Sequence, residues 1–336
     1  MIEASRPNAT NALSRHRIVA QLVVFGSRYG TVAVVVLLLL AFGLTSDHFL
    51  TSTNLLNILR QISIIAVIGI GMTMVLLIGG IDLSVASVAL LSATIAGLLL
   101  AQELVPAPVA IAAALAAGAG VGLLNGLIVE KTGISPVIVT LGMLIGIRGL
   151  AQVILLLGDN WIWIRDPLFV TLGNGELLGV PMPAVVMLVG YAVASAAMGR
   201  TMFGRWIYAI GGNVRAAALS GVPVGRTRVS VYALSGLLAA VGGLLLAARI
   251  GIVNPPIGRG MEFAVITAVI LGGTSISGGV GRVERTLLGA LIVGMVLNYM
   301  TIRGISAEWQ AAATGFIILA AAVLDRIAQG GGEHDR

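Results

Sequence analysis

The sequence predicts an all-α fold, a polytopic membrane bundle of about ten transmembrane helices, some of them broken or re-entrant, with both termini in the cytoplasm. Of the 336 residues, 58% are hydrophobic and only 10% are charged, and the mean hydropathy of +1.04 lies far above that of soluble domains. Apolar runs recur along the whole chain between short polar segments. When the sides are assigned alternately, most of the 20 lysines and arginines fall on one side, and the positive-inside rule makes that side the cytoplasm.

The composition also excludes several classes of protein. The net charge of +6 does not indicate a nucleic-acid partner, because the arginines stand at the ends of apolar runs, where they orient membrane helices. The chain has no cysteine, which excludes disulfides and thiolate metal sites. Its three histidines, His16, His48 and His334, lie far apart in polar segments. We therefore expect no nucleic acid, no metal and no cofactor.

The amino-terminal residues 1–28 are polar and contain four arginines, so we expect a cytoplasmic tail. A signal peptide is the alternative, but this polar part is too long for one and no small-x-small cleavage site follows. We predict an uncleaved first helix over residues 29–45 and a short helix lying in the membrane interface over residues 46–61. Residues 29–325 then form one transmembrane domain, and residues 326–336 a cytoplasmic tail.

The rest of the chain contains further apolar runs, several of them shorter than the ~20 residues that a straight span needs. Close helix packing within the bundle is indicated by glycines spaced four apart, at Gly118, Gly122 and Gly126 and at Gly142 and Gly146. The longest external loop, residues 159–181, is expected to hold a short helix or hairpin and to form the main outer surface. The predicted spans are residues 62–78, 83–101, 106–129, 136–158, 183–199, 229–248, 262–275, 287–302 and 309–324.

A basic segment, residues 200–228, interrupts the apolar chain near its middle. It carries five arginines and no acidic residue, so the positive-inside rule places it in the cytoplasm. Within it, residues 213–222 form a small-residue patch that predicts a short helix stopped by Gly221 and Pro223. The segment is either a solvated loop held by its arginines or a surface whose alanines let a partner come close.

Two glycine-rich breaks lie inside the apolar region, at residues 79–84 and 272–279. Each follows an apolar span as Gly-Gly-x-x-x-Ser, which suggests two related halves. One interpretation is a tight turn, in which Asp82 or Ser84 caps the next helix. The other is a pair of discontinuous helices that line a path, because unwound backbone at membrane depth is tolerated only against protein or water.

Three charged side chains, Asp82, Arg148 and Glu262, fall within or beside the apolar spans. Each would cost ~2.5–3.5 kcal/mol at a helix centre, so we expect them to face the bundle interior or water. Only Asp82 or Glu262 could serve a proton-driven carrier.

Catalytic motifs are missing from the sequence. A phosphate-binding loop requires Gly-Lys-Ser/Thr, and the chain's only lysine, Lys131, follows Glu130. No serine has a histidine or thiol partner in a plausible arrangement. We do not expect an enzyme.

Four motifs, in order, resemble the permease subunits of bacterial ribose-type ABC importers, of the branched-chain amino acid/sugar permease superfamily. They are Ile-Gly-Gly-Ile-Asp-Leu-Ser-Val at residues 78–85, Gly-Ile-Ser-Pro-Val-Ile-Val-Thr-Leu-Gly at 133–142, Tyr-Ala-Ile-Gly-Gly-Asn at 208–213, and Leu-Gly-Gly-Thr-Ser-Ile-Ser-Gly-Gly at 271–279. The resemblance covers residues of about 50 to 325. Departures are Ala86, where the family often has glycine, and Arg215, where the coupling-loop pattern Glu-Ala-Ala-x-x-x-Gly has glutamate.

The resemblance implies a permease that imports a monosaccharide or a similar polyhydroxylated molecule across the bacterial cytoplasmic membrane. Its expected partners are an ATP-binding cassette ATPase that hydrolyses ATP, a periplasmic or extracellular substrate-binding protein, a second permease copy that is identical or a close paralogue, and membrane lipid. The ATPase would dock on Asn213, Arg215, Ala216, Ala217 and Gly221. The candidates for the translocation pathway, chosen by polarity and position, are Gly79, Gly80, Asp82, Ser84, Asn125, Gly272, Gly273, Ser275 and Asn298.

Three alternative classes of protein differ from this one in their substrate, their energy source or their sequence features. An ABC permease for branched-chain amino acids shares the architecture. A proton-coupled secondary carrier would work without an ATPase. A membrane-anchored structural protein would explain neither the paired glycine breaks nor the basic segment.

Overall fold

The computed structural model describes residues 30–330, with side chains up to residue 323. The predicted tail over residues 1–28 lies outside the described residues, as do residues 331–336 of the predicted carboxy-terminal tail. The described part contains thirteen α-helices and four two-residue strands. The predicted all-α class is therefore confirmed for this part of the chain.

The helices follow one another with short connections. They are α1 (Gly30–Thr45), α2 (Ser52–Leu77), α3 (Val85–Ala101), α4 (Ala107–Thr132), α5 (Pro136–Leu155), α6 (Pro167–Asn174), α7 (Met182–Arg200), α8 (Met202–Gly212), α9 (Val214–Leu219), α10 (Val224–Ile250), α11 (Met261–Leu271), α12 (Val283–Ile302) and α13 (Ala307–Gly330).

Helices α2 and α10 form the centre of the bundle. Helix α2 is buried almost without interruption from Ile62 to Leu77, and α10 packs against α2, α3 and α4. The approach of α4 to α10 depends on the predicted glycines. A Cβ on Gly118 would lie 2.7 Å from the carbonyl oxygen of Gly236, and one on Gly126 would lie 2.8 Å from the Cα of Val229. The predicted close packing is confirmed for this series.

The second glycine pair behaves differently. A Cβ on Gly142 or on Gly146 would meet nothing within 4 Å, and the face of α5 that carries them is exposed. Packing within the bundle is therefore the wrong explanation for this pair.

The predicted interfacial helix over residues 46–61 is also wrong, because α2 runs unbroken from Ser52. The hydroxyl of Thr51 accepts a hydrogen bond from the Asn54 amide at 3.3 Å and so caps its start. No glycine or proline follows before Gly69, so nothing separates the amphipathic start from the buried run.

The segment over residues 159–181 holds both of the expected features, a short helix and a hairpin. Asp166 caps α6 by accepting a hydrogen bond from the Phe169 amide at 2.9 Å. The strands β2 (Glu176–Leu177) and β3 (Val180–Pro181) form the hairpin. Strand β1 (Ile162–Trp163) pairs with β4 (Ile252–Val253), which follows α10. Arg60 of α2 holds the hairpin through an ion pair with Glu176 at 2.8 Å.

Six described helices are long and apolar enough to cross a membrane: α2, α4, α5, α7, α10 and α12. Four shorter apolar helices, α1, α3, α11 and part of α13, accompany them. All ten coincide with predicted spans, and the chain is a multi-pass helical membrane protein.

Candidate translocation and coupling site

The first glycine-rich break separates α2 from α3 and is held by a buried carboxylate. Gly79 has a φ of +76°, a left-handed conformation that glycine adopts without strain, so the chain turns here. Asp82 Oδ1 accepts hydrogen bonds from the Ser84 amide at 3.0 Å and from the Ser84 hydroxyl at 2.6 Å. Its Oδ2 accepts one from Ser235 Oγ on α10 at 2.8 Å. The carboxylate therefore fixes the break to α10.

Asn125 and Thr140 extend this network to α4 and α5. Asn125 Nδ2 donates to Ser84 Oγ at 2.8 Å. The Thr140 hydroxyl is shared between the carbonyl oxygens of Ile81 at 3.1 Å and Pro136 at 2.9 Å. The Ser84 side chain makes no capping hydrogen bond to α3; its hydroxyl donates to Asp82 and accepts from Asn125. The predicted pathway residues Asp82, Ser84 and Asn125 thus form one buried polar cluster.

Two polar atoms of this cluster have no hydrogen-bond partner, Asn125 Oδ1 and the Tyr232 hydroxyl, and both are buried. A Cβ on Gly80 would lie 2.5 Å from that hydroxyl, so a larger residue here would displace the Tyr232 side chain. A free acceptor and a free hydroxyl next to the break suit passing hydroxyl groups or water.

The second break lies between α11 and α12. Gly273, Gly278 and Gly279 have φ values of +83°, +90° and +72°. The turn closes where the Ser275 amide donates to the Val280 carbonyl at 2.8 Å. Gly272 packs on α12, since a Cβ there would lie 2.8 Å from the Cα of Thr286.

The two breaks meet each other. The Gly279 amide donates to the carbonyl oxygen of Leu77 at 2.9 Å. A Cβ on Gly278 would lie 3.0 Å from the amide nitrogen of Gly79. The structure thus brings together the pathway candidates Gly79, Gly80, Gly272, Gly273 and Ser275 in two adjoining turns.

Helix α8, within the basic segment, rests on this junction. A Cβ on Gly211 would collide with the Leu77 carbonyl oxygen and with the Gly279 amide. The Tyr208 hydroxyl donates to the Gly281 carbonyl oxygen at 3.0 Å. Helix α8 was not predicted from the sequence, in which Gly211 was noted only as part of the motif at residues 208–213. The available signal was the helical spacing of Phe203, Ile207 and Ile210, of which the two isoleucines are buried.

The predicted short helix of the basic segment is present as α9. Asn213 caps it by accepting a hydrogen bond from the Ala216 amide at 3.0 Å. Ala217 is buried, whereas Arg215 and Ala216 are exposed and Leu219 is 91% exposed. Gly221, with a φ of +82°, turns the chain towards α10. The helix thus presents an exposed surface of small and apolar residues.

Asn298 is separated from the other candidates. Its amide forms a reciprocal pair with Asn54 of α2, with Nδ2 to Oδ1 distances of 3.0 and 2.9 Å. Ser235 and Tyr232 were also not predicted from the sequence, because they lie in the apolar middle of α10 and carry no motif. Among the residues that the structure describes, no group of three His, Asp or Glu side chains could hold a metal ion.

These features define a multi-pass helical membrane protein in which two adjoining glycine turns inside the bundle are joined to an exposed helix. Over residues 54–322 the chain matches the model of the family described as branched-chain amino acid transport system, permease component, and it belongs to that family. It is thus a transport subunit rather than an enzyme.

Curated relatives are similar over most of their length. The ribose import permease protein RbsC of Escherichia coli (strain K12) is 40% identical over 313 residues, which are 90% of this chain and 97% of the relative. RbsC of Bacillus subtilis (strain 168) is 39% identical over 86% of this chain and 90% of its own. The L-arabinose ABC transporter permease protein AraH of Azospirillum brasilense is 36% identical over 89% and 88%. No solved structure matches significantly. The resemblance to ribose-type permeases is confirmed.

Proposed function

We propose that the chain is the membrane-spanning subunit of an ABC importer and moves a monosaccharide, or a similar polyhydroxylated molecule, into the cell. The observation that carries this proposal is the contact of Gly211 with the junction of the two breaks, in a chain 40% identical to a ribose import permease. A permease of this kind works with an ATPase and with a substrate-binding protein.

The proposed ATPase surface is the exposed face around α9, with Asn213, Arg215, Ala216, Ala217 and Gly221. Movement of α9 is passed to α8, because Asn213 is both the end of α8 and the cap of α9. Helix α8 contacts both breaks through Gly211. ATP-driven closure of the ATPases then shifts the permease between two states by rigid-body movement of this unit.

The proposed pathway lies along the two breaks, with Gly79, Gly80, Asp82, Ser84, Asn125, Gly272, Gly273 and Ser275 beside it. The free Asn125 Oδ1 and Tyr232 hydroxyl support this placement. Asn298 belongs to it only by the sequence-based prediction, because in the structure it pairs with Asn54.

The second permease copy is proposed to cover the exposed face of α5. Gly142 and Gly146 have open space above them, and this four-residue spacing is typical of helix pairs in membranes. Two identical chains or two close paralogues would meet in this way.

The basic segment sets the proposed orientation. With this segment in the cytoplasm, α8, α9 and both termini are proposed to be cytoplasmic, with ten spans across the bacterial cytoplasmic membrane. Residues 159–181 then face outwards, where the substrate-binding protein arrives. The exposed Trp161 and Trp163 lie on that surface and line a cavity of about 850 Å³.

Copurification with uptake measurements tests the proposal. The tagged chain, taken from its native membranes in mild detergent, is expected to retain a stoichiometric ATPase. Vesicles that contain the complex and the binding protein are expected to take up ribose or another monosaccharide when ATP is supplied, and to be indifferent to loss of the proton gradient. Uptake that depends on the proton gradient and not on ATP would indicate a secondary carrier. ATP-driven uptake of leucine without sugar would indicate an amino-acid permease.

A further inference from the structure

Residues 251–260, which begin with β4, connect α10 to α11 beside α5 and α3. Arg148 Nη1 of α5 donates to the Pro255 carbonyl oxygen at 3.5 Å, and a Cβ on Gly258 would lie 3.6 Å from the Ala86 carbonyl oxygen at the start of α3. Arg148 stands seven residues before the end of α5, about 10 Å along the helix at a rise of about 1.5 Å per residue. The segment therefore contacts α5 inside the bundle, well before the end of that helix. Helix α11, only 11 residues long, begins there.

Two opposite charges meet this segment without satisfying each other. Glu262, in the first turn of α11, is 7% exposed, and its Oε2 has no hydrogen-bond partner. Arg148 Nη2 is buried and likewise has none. The two side chains act on each other electrostatically, yet they form no ion pair in the described structure.

The Glu262 carboxylate also accepts from the backbone amides of Glu262 and Gly260, and Arg148 Nη1 has the Pro255 carbonyl, so one atom of each charged group is left unpaired. A buried charged atom without a hydrogen-bond partner is unfavourable, and Glu262 Oε2 and Arg148 Nη2 therefore call for an occupant. A carboxylate oxygen only accepts hydrogen bonds and a guanidinium only donates them. A group that bridges them has to donate to one and accept from the other. Neighbouring hydroxyls of a sugar do both.

The residues that flank the two charges lie on an exposed face of the bundle. On α5, Ile145 and Gly149, which flank Arg148, are exposed. On the other side, Arg259 and Phe263, which flank the start of α11, are exposed as well. The pair thus lies just beneath the face that the second copy is proposed to cover.

We propose that Arg148 and Glu262 form a transient binding point for sugar hydroxyls on the translocation route, where one hydroxyl donates to Glu262 Oε2 and a neighbouring hydroxyl accepts from Arg148 Nη2. The inference rests on the proposed function and names side chains that contact its substrate. The pair accounts for a preference for polyhydroxylated molecules within the permease itself, in addition to selection by the binding protein.

Cysteine labelling tests the contact directly, because the natural chain has no cysteine. The single-cysteine variant Phe263→Cys, at the exposed position next to Glu262, keeps both charges. It is assembled with the ATPase and the binding protein, and labelling of the permease by a small methanethiosulfonate reagent is followed during ATP hydrolysis. Saturating ribose, or the monosaccharide that the complex imports, is expected to slow labelling several-fold. The matched control is Glu308→Cys, since Glu308 is exposed in the first turn of α13, and sugar is expected to leave its labelling unchanged.

Conservative variants separate binding from structure. Glu262→Gln keeps the shape of the side chain and removes its charge, and we expect about a tenfold loss of sugar uptake, as for a lost charge-assisted hydrogen bond, with ATP hydrolysis retained. Glu308→Gln is expected to transport normally. A parallel fall in uptake, ATP hydrolysis and the amount of assembled complex would show a purely structural pair and overturn the inference.

The labelling experiment also distinguishes this inference from the proposed function. If the unmodified complex imports sugar with ATP but sugar leaves the labelling of Phe263→Cys unchanged, the contact point alone is wrong. If leucine slows the labelling and sugars do not, the bridging ligand is a zwitterion and the assignment to polyols is overturned. If the unmodified complex imports no sugar at all, both proposals fail.

Discussion

Gly211 of α8 lies directly against the carbonyl oxygen of Leu77, the last residue of α2, and leaves no room for a side chain. The same oxygen accepts the Gly279 amide at 2.9 Å. One carbonyl group thus joins the first break, the second break and the helix that leads into α9. If α8 moves, either the two breaks move with it or α8 loses its contact with them.

We predict that Gly211→Ala lowers ATP-driven sugar uptake at least tenfold. The added methyl group would overlap backbone atoms that cannot rotate away, so α8 has to move off the junction, and overpacking of this kind typically costs about 1–3 kcal/mol. Gly212→Ala is the matched control, because a Cβ there would meet nothing within 4 Å. Uptake by purified complexes in vesicles measures both. Equal uptake by the two variants would show that the contact does not transmit movement.

We predict that Gly221→Asp abolishes uptake while the chain stays in the membrane. The change places a negative charge at the end of the exposed α9 surface, where the ATPase is proposed to dock, and strains a φ of +82°. Copurification of the ATPase and sugar uptake are the measurements. Gly304→Asp is the control, since Gly304 also has a positive φ, +69°, and open space, but lies in the turn between α12 and α13. If the ATPase copurifies with Gly221→Asp and uptake stays normal, the docking surface is elsewhere.

The sequence allowed most helices to be predicted, because apolar runs and their polar flanks carry that information. The sequence could not show that α2 begins within the stretch predicted as a separate interfacial helix. An amphipathic pattern is the same whether the helix lies in the membrane interface or packs against a helix bundle. The sequence also could not show contacts between distant glycines. Gly211, Leu77 and Gly279 are far apart in the chain and meet only through tertiary packing, so their motifs were visible while their junction was not. Ser235 carries no local signal, because a serine in a small-residue helix is common.

We predict that Asp82→Ala lowers the stability of the permease by about 2–4 kcal/mol, because Asp82 accepts three hydrogen bonds in a buried place and its loss leaves two serine hydroxyls without an acceptor. Ser235→Ala removes one of these bonds and is expected to cost about 1–2 kcal/mol. The two effects are expected to be less than additive, since both variants break the same bond. Thermal unfolding in detergent measures them, with Thr53→Ala, at an exposed position in the first turn of α2, as the control. Full additivity would argue against one shared network.

We predict that a single cysteine at Gly146 links two copies of the chain. The open space above Gly146 lets a second α5 approach closely, and a disulfide requires Cα atoms within about 7 Å. The natural chain has no cysteine, so a linked dimer of the Gly146→Cys variant arises only from this position. Mild oxidation in native membranes followed by non-reducing electrophoresis gives the answer. Val193→Cys on α7 is the control, because Val193 is also exposed and apolar but lies outside the proposed face.

Dimers from Gly146→Cys alone would locate the second copy on α5. Equal amounts from both positions would indicate random collisions in the membrane. If Gly146→Cys stays monomeric in an active complex, then α5 faces lipid or a different permease chain, and the two permeases meet through other helices.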